Sequence, residues 1–552
     1  MLGTLTRTAF QLNFIMMANR SADILFQLVR SLEKSEKRHF KLYIKRSSAK
    51  EDLKIIQLFD ALDKLPEYDE RLLLKKLPFV TKPQLANLKT HLYKQLLASL
   101  RLLKTAENTD LQLSEHLDHA RVLYNKGLKL QSLKILERAK EIAKSNSKFN
   151  FLAQLISLEK KIETLHITRS SLEKTQVLTE EASDISGHIS RVSQLSNLAL
   201  LLYRWYVKNG HARNEQDQAS LREFFKNNLP ADAEKITDFY ERLYLYQSYS
   251  WYYYIRQNFL EYYRYSQKWI DLFEKEPLMV GVELGHYVKG MHNLLNALFD
   301  LRHYQRFQKV LHDFEAFAKT PVARQHDNFR IHTFIYIHGA RINWHMMTGT
   351  FKAALEMIPA LEEKLDEYSL YIDKHRILVF NYKFANLYFG SGEYARSIDY
   401  LQKIIHDHLD LRYDLQCYAR LLHLMAHYEL GNYEIIESLI KSVYRFMARM
   451  KNLTVVEEEM FRFLRKSFGI SPRKLKPELE KFLYKIKHLE NNPYETRSFA
   501  YLDIISWLES KVLEKPMGEI IHEKYLEGSK RKMSARKNSK LVAAIPEKLS
   551  TA

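Results

Sequence analysis

The chain has 552 residues and a formal charge of +19, from 85 Lys and Arg against 66 Asp and Glu. That length exceeds one compact core and suits an extended array. The single cysteine, Cys417, excludes a disulfide framework within the chain and predicts a reducing, cytoplasmic setting; no apolar run approaches the ~18 residues that mark a membrane span.

In chain order, residues 1–20 carry two Arg and no acid, and Asn13 interrupts their apolar part. We read them as a disordered upstream extension ahead of a start at Met16 or Met17, with a transit peptide as the alternative. Residues 21–108 predict an N-terminal helical domain. Ser21 is the expected cap of a helix whose apolar residues Ile24, Leu25, Leu28, Val29 and Leu32 follow a 3.6-residue period. Glu51 to Leu65 and Asp69 to Leu77 follow as helices stopped by Pro66 and Pro78. Thr81-Lys82-Pro83-Gln84 reads as a capping box that opens a long helix to about Leu103.

Residues 109–450 repeat one helical hairpin. Its clearest copy runs from Phe384-Ala385 through Tyr388 and Gly392-Glu393-Tyr394 to Ser397, Leu401 and Ile404. Equivalent turns fall at 127, 210, 257, 302, 349, 392 and 431, spaced 83, 47, 45, 47, 43 and 39 residues apart. The first gap is twice the period, so a degenerate unit is expected near Thr168. Five of the 15 glycines occupy these turns, and with only 12 prolines the remainder predicts long helices and short loops. Such a period marks a stacked array. Residues 451–525 predict helices that cap its last apolar face, with Tyr501 to Leu513 as one amphipathic helix. Residues 526–552 form a basic, disordered tail, since the stretch from Tyr525 onward holds seven Lys/Arg and two Glu.

These residues resemble the tetratricopeptide repeat over about 110–450. Asn381, Phe384, Ala385, Tyr388, Ser397, Leu401 and Ile404 stand in that family's slots, although Asn381 replaces the usual Trp and the mean spacing of about 43 exceeds 34 residues. Short stretches, Leu32–Arg38 and Trp507–Lys511, are also similar to segments of bacterial repeat proteins and imply no activity. The resemblance implies an all-α fold: a right-handed α-α superhelix, tetratricopeptide-like, with an N-terminal helical domain and C-terminal capping helices. It also implies a concave groove lined by the second, fifth, ninth and twelfth residues of each first helix. Here those are Lys289, His292, Asn296 and Phe299; Tyr336, Gly339, Asn343 and Met346; Val379, Tyr382, Asn386 and Phe389.

Asn therefore fills the ninth position three times. A carboxamide both donates and accepts, so Asn296, Asn343 and Asn386 could clamp an extended peptide backbone; the competing reading is that they bond neighbouring helices. Lys289, His292, Tyr336 and Tyr382 would set side-chain preference, and Trp251, from the fifteen aromatics of residues 239–273, would be an apolar anchor. The family's carboxylate clamp is not reproduced, because its fifth-position Lys is His292, Gly339 or Tyr382 here.

The expected partner is a protein or peptide, bound without catalysis by an adaptor or scaffold. Nucleic acid is the alternative: the helices around Pro78 could form a helix-turn-helix with Lys82, Gln84, Asn87 and Lys89 at the start of its second helix, beneath a ligand-sensing solenoid. We expect no cofactor, no metal and no enzymatic activity. No phosphate loop or paired-cysteine pattern occurs, and His423 and His427 share i, i+4 spacing without the Glu of a zinc-protease helix.

Overall fold

The computed structural model describes residues 23–528 except 47–49, 107, 166–171, 232, 234–235, 325, 370, 408–412, 451, 468–469, 471, 491 and 493–494. Ser21, Thr168, His408, the extension 1–20 and most of the tail 526–552 lie outside the described residues. Among those described, the regular elements are all helices and no strand occurs. The chain divides into two compact units, at Ile189/Ser190.

In the first unit, Asp23 rather than Ser21 caps the opening helix Ile24–Ser31, its Oδ1 accepting from the main-chain N–H of Phe26 at 3.0 Å. Helices Lys34–Lys45, Lys50–Asp63, Glu70–Lys76 and Lys82–Lys104 bury Phe40, Ile55, Phe59, Leu73, Leu92 and Leu96 in one core. The Thr81–Gln84 capping box forms as expected. A separate core, built on Leu117, Leu136, Ala139 and Leu155, joins Thr109–Asn125, Lys129–Ser145 and Phe149–Leu165.

The second unit packs helices in sequential pairs: Phe239–Ile255 with Phe259–Lys275, Leu284–Asp300 with Tyr304–Phe317, Asp327–Thr348 with Phe351–Leu355, Lys374–Ser391 with Tyr394–Ile405, and Tyr413–Glu429 with Tyr433–Arg449. Many of these helices are 17 residues long, about 25 Å, which accounts for the long repeat.

One local geometry recurs at every turn named from the sequence. Gly127, Gly210, Gln257, Arg302, Gly349, Gly392 and Gly431 all adopt positive φ, between 51° and 88°. At six of them the following N–H donates to the carbonyl five residues back, as in Leu128 to Leu123 (2.9 Å), His303 to Leu298 (2.9 Å) and Glu393 to Tyr388 (2.9 Å). This bond satisfies carbonyls that a helix end leaves orphaned. Ser147 makes an eighth such turn, between Lys129–Ser145 and Phe149–Leu165, without a glycine to announce it. The small residues also repeat: Ser132 Oγ donates to Ala120 O and Ser397 Oγ to Ala385 O, each at 2.8 Å, so two hairpins close through the same buried contact.

The expected single helix from Tyr501 to Leu513 is broken. Leu502 is extended (φ −133°, ψ 124°), and Asp503 starts a new helix, Ile504–Leu513, by accepting from Ser506 N–H at 3.0 Å. A side chain able to cap competes with helix continuation at that point. The chain then runs helically over 517–528.

Candidate peptide groove

The first helices of three consecutive hairpins carry the residues singled out above. Lys289, His292 and Asn296 lie on Leu284–Asp300; Tyr336 and Asn343 on Asp327–Thr348; Tyr382 and Asn386 on Lys374–Ser391. The structure links most of them side by side. His292 stacks on Tyr336 with ring centroids 4.0 Å apart and planes 13° from parallel. Lys289 Nζ lies 5.9 Å from the ring centres of both Trp251 and Tyr203. Arg376 donates to the Tyr336 hydroxyl at 3.2 Å, and Lys383 donates to Asn343 Oδ1.

The three Asn are not equivalent. Asn296 Nδ2 donates to His292 Nε2 at 3.0 Å, which leaves the proton of the neutral ring on Nδ1. Asn386 Nδ2 donates to the carbonyl of Tyr382, one turn back, at 2.8 Å. Asn343, buried at 6 % exposure, is the one whose bond reaches another hairpin. Each bond uses part of the amide's capacity and leaves part.

The floor of this face is poorly solvated. Burial, reinforced by Arg376, Lys383 and Lys289, holds the His292 imidazole neutral, with its pKa lowered to about 3. Burial lowers Lys289 to about 8, helped by Arg376, and lowers Lys383 to about 8 against the pull of Asp300. Burial raises Asp300 to about 7 against Arg302 and Lys383. Lys289, His292, Asp300, Arg376 and Lys383 nevertheless keep partial contact with water. These groups are neither exposed nor sealed in the core.

One end of this face is already occupied by the chain itself. Phe299, Met346, Asn386 and Phe389 share a cleft with Phe499, Tyr501, Leu502, Met517 and Ile521. Tyr382 Oη donates to the main-chain carbonyl of Tyr501 at 3.0 Å, where the backbone turns extended. Tyr501 stacks on Tyr418 (4.4 Å, 7°), and its hydroxyl donates to Asp414. Beyond it, His522 Nδ1 meets the carbonyl of Thr348 at 2.9 Å, and Gly518 lies against Gly349 so closely that neither tolerates a Cβ.

Trp251 sits in an aromatic cluster, tilted against Tyr203 (5.1 Å) and Tyr206 (5.5 Å) and edge-on to Tyr254 (6.0 Å). Most of the aromatic run packs between helices, as with Tyr252 on Phe225 (4.3 Å) and the fully buried Trp269. Arg376, Lys383, Asp300 and Tyr501 were not anticipated. The first three fall outside the groove positions counted from the repeat, and no local pattern ties Tyr501 to Tyr382.

The alternative nucleic-acid residues are largely engaged. Gln84 Oε1 accepts from Thr81 N–H at 3.0 Å. Lys89 is held by Asp23 and by the Tyr68 hydroxyl at 2.8 Å, and Lys82 lies 3.5 Å from Glu70; Asn87 is exposed. His423 and His427 pack at 4.5 Å between centroids, and His427 Nδ1 is 2.9 Å from Asn432 Nδ2. Cys417 is buried in the core. Among the described residues no cluster of three or more His, Cys, Asp or Glu could hold a metal ion, and no helix is long and apolar enough to cross a membrane.

No protein-family model matches the chain, and no curated protein matches it significantly. What is established is an all-helical protein of sequentially packed helix pairs, compatible with a helical-repeat solenoid.

Proposed function

We propose that this chain is a non-catalytic, cytoplasmic adaptor or scaffold whose hairpins form a tetratricopeptide-like right-handed superhelix and whose concave face binds an extended peptide segment of a protein partner. The observation that carries the reading is the bond from Tyr382 to the carbonyl of Tyr501. There a side chain of this face holds the last carbonyl of the helix Thr496–Tyr501, just before the extended Leu502, and its ring meets that of Tyr501 edge-on at 6.3 Å, so main chain and an aromatic side chain are gripped together. The aromatic and amide lining beside it, His292 on Tyr336 with Asn296 and Asn343, continues the same chemistry along this face. The engagement of Lys89 and Gln84 within their own domain favours this reading over nucleic acid.

The test is selection from a random-peptide display library on the full chain and on a Tyr336→Ala, Asn296→Ala variant, each with and without nuclease. Peptides enriched on the wild type, weakened about tenfold or more by the variant and indifferent to nuclease support a groove. Failure to enrich any peptide, or retention that vanishes with nuclease, refutes it.

A further inference from the structure

Several other partly enclosed lysines among the described residues are paired with carboxylates. Lys140 sits between Glu159 (2.8 Å) and Glu181 (2.9 Å), Lys89 on Asp23, and Lys511 on Glu429. The groove breaks this rule twice on one face. Lys289 has the rings of Tyr203 and Trp251 for company, and Lys383 has the neutral oxygens of Asn343 and, at 3.5 Å, Gly339 O. Neither forms an ion pair among the described residues. Arg376 joins them: it is bonded to the Tyr336 hydroxyl and meets a carboxylate only at 3.9 Å, that of the exposed Asp373. The acid facing Lys383 is Asp300, whose pKa burial raises to about 7, so it carries only part of a charge near neutral pH.

Three cations on the two helices that flank Asp327–Thr348, all near the His292 ring, with aromatic walls and limited counter-charge, form a site suited to an anion. An enclosed charge without a counter-ion is costly and persists where something binds it. We propose that Lys289, Arg376 and Lys383 form an anion subsite of the groove, which takes an oxyanion carried on a bound peptide: an Asp or Glu carboxylate, or a side-chain phosphoryl group. The proposal rests on the peptide-groove reading and names the chemistry of the ligand. Tyr336 and the Nδ1–H of His292 add neutral donors beside the cations, so an oxyanion meets hydrogen bonds as well as charge. The fifth-position lysine of the family's carboxylate clamp is absent here. A peptide, rather than a nucleic acid, is the carrier because the adjoining end of the same face already holds polypeptide by its main chain.

The experiment titrates the full chain with labelled hexaglutamate, a phosphoserine peptide of equal length, a neutral peptide, a single-stranded oligonucleotide and inorganic phosphate. Anisotropy reads binding and thermal shift reads stability. The test variants are Lys289→Met with Lys383→Met, which keep the length and remove the charge, and Arg376→Gln alone. One or both acidic peptides should bind the wild type, and the stronger arm names carboxylate or phosphate. Each variant should weaken that binding about tenfold or more. The unliganded double-Met protein should melt at or above the wild type, because two uncompensated cations have been removed. A lower melting temperature would give the lysines a structural role and overturn the subsite, as would equal binding by variant and wild type. Tighter binding of the oligonucleotide, lost in the same variants, would overturn the peptide carrier. If acidic peptides fail while display-selected neutral ones bind, the anion subsite alone fails; if no peptide binds, the groove reading fails with it.

Discussion

Gly349→Ala isolates the contact by which the chain's own C-terminal segment is seated. The turn residue has φ +71°, and an added Cβ would strike the carbonyl of Gly518 and approach His522 N to 2.9 Å. Gly392 has the same turn role, with φ +88°, but open space around its Cβ. Gly392→Ala therefore reports the left-handed backbone term alone, about 1 to 2 kcal/mol. That term is tolerable, since Gln257 and Arg302 occupy equivalent turns at φ 58° and 51°. Gly349→Ala adds displacement of the 517–528 helix. It forfeits the bond from His522 to Thr348 and the edge contact of Tyr525 with Tyr304 (4.9 Å, 80°), together about 2 to 3 kcal/mol. Hydrogen exchange resolved by peptide is the suitable assay, because a chain of two compact units need not unfold in one step. In Gly349→Ala, protection of 517–528 should drop about 30- to 150-fold while the hairpin cores are spared. In Gly392→Ala it should be unchanged. Equal protection of 517–528 in the two variants would refute the contact argument.

Two further outcomes follow from buried groups. Ser397→Ala and Ser132→Ala each remove one bond to a helix carbonyl at a fully buried position, and each should cost about 1 kcal/mol in equilibrium unfolding of its own unit; costs differing several-fold would mean the two hairpins do not share one packing mode. Asp300 has a folded pKa raised by burial from 3.8 to about 7, so the folded state binds its proton more tightly than the unfolded state. Its contribution is fully present below the unfolded pKa and is lost as pH rises through the folded one. Thermal melts should therefore show Asp300→Asn losing less stability than the wild type between about pH 4 and pH 7; parallel curves would place the carboxyl in water.

The turns were legible because a chain reversal between long helices needs one residue at positive φ, and glycine fills five of those seven places. Arg302 and Gln257 were found through spacing, their neighbours supplying the period. Ser147 lacked both a glycine and a place in that period, so it was missed. Ala385 and Ser397 were legible as slots of the repeat, while their contact, and that of Ser132 with Ala120, emerges only from the folded hairpins. The site was only half legible. Counting positions along one helix gives Lys289, His292 and Asn296, which share a face by the 3.6-residue period. It does not give Arg376 and Lys383, which come near His292 through the packing of separate hairpins. Nor could it place Tyr501, 119 residues from Tyr382, because no local rule encodes that contact. The helix break at Leu502 has a local signal in Asp503, a good cap, but the apolar stripe on both sides concealed it.

Asn343 sits where the two accounts of this face make opposite demands. As a backbone clamp, its amide is needed intact. As a neighbour of Lys383, its Oδ1 already accepts from an ammonium that has no carboxylate. Asn343→Asp keeps the shape and supplies that carboxylate. A hydrogen bond to a neutral amide then becomes a charge-assisted pair, worth about 1.5 to 3 kcal/mol gross, less the cost of enclosing the new charge at a position with 6 % exposure. Because the ammonium is already present and lacks a counter-ion, the balance should favour the pair. Melting temperature should rise, and the Lys383 pKa should climb from about 8 toward its ordinary 10.5. The same carboxylate fills the place of the incoming anion, so affinity for whichever acidic peptide binds the wild type should fall about tenfold or more. Greater stability with weaker acidic-peptide binding is the pattern of a site held open for a ligand. A fall in melting temperature would mean that Lys383 is not charged where it lies, and unchanged affinity would mean that its charge faces no ligand.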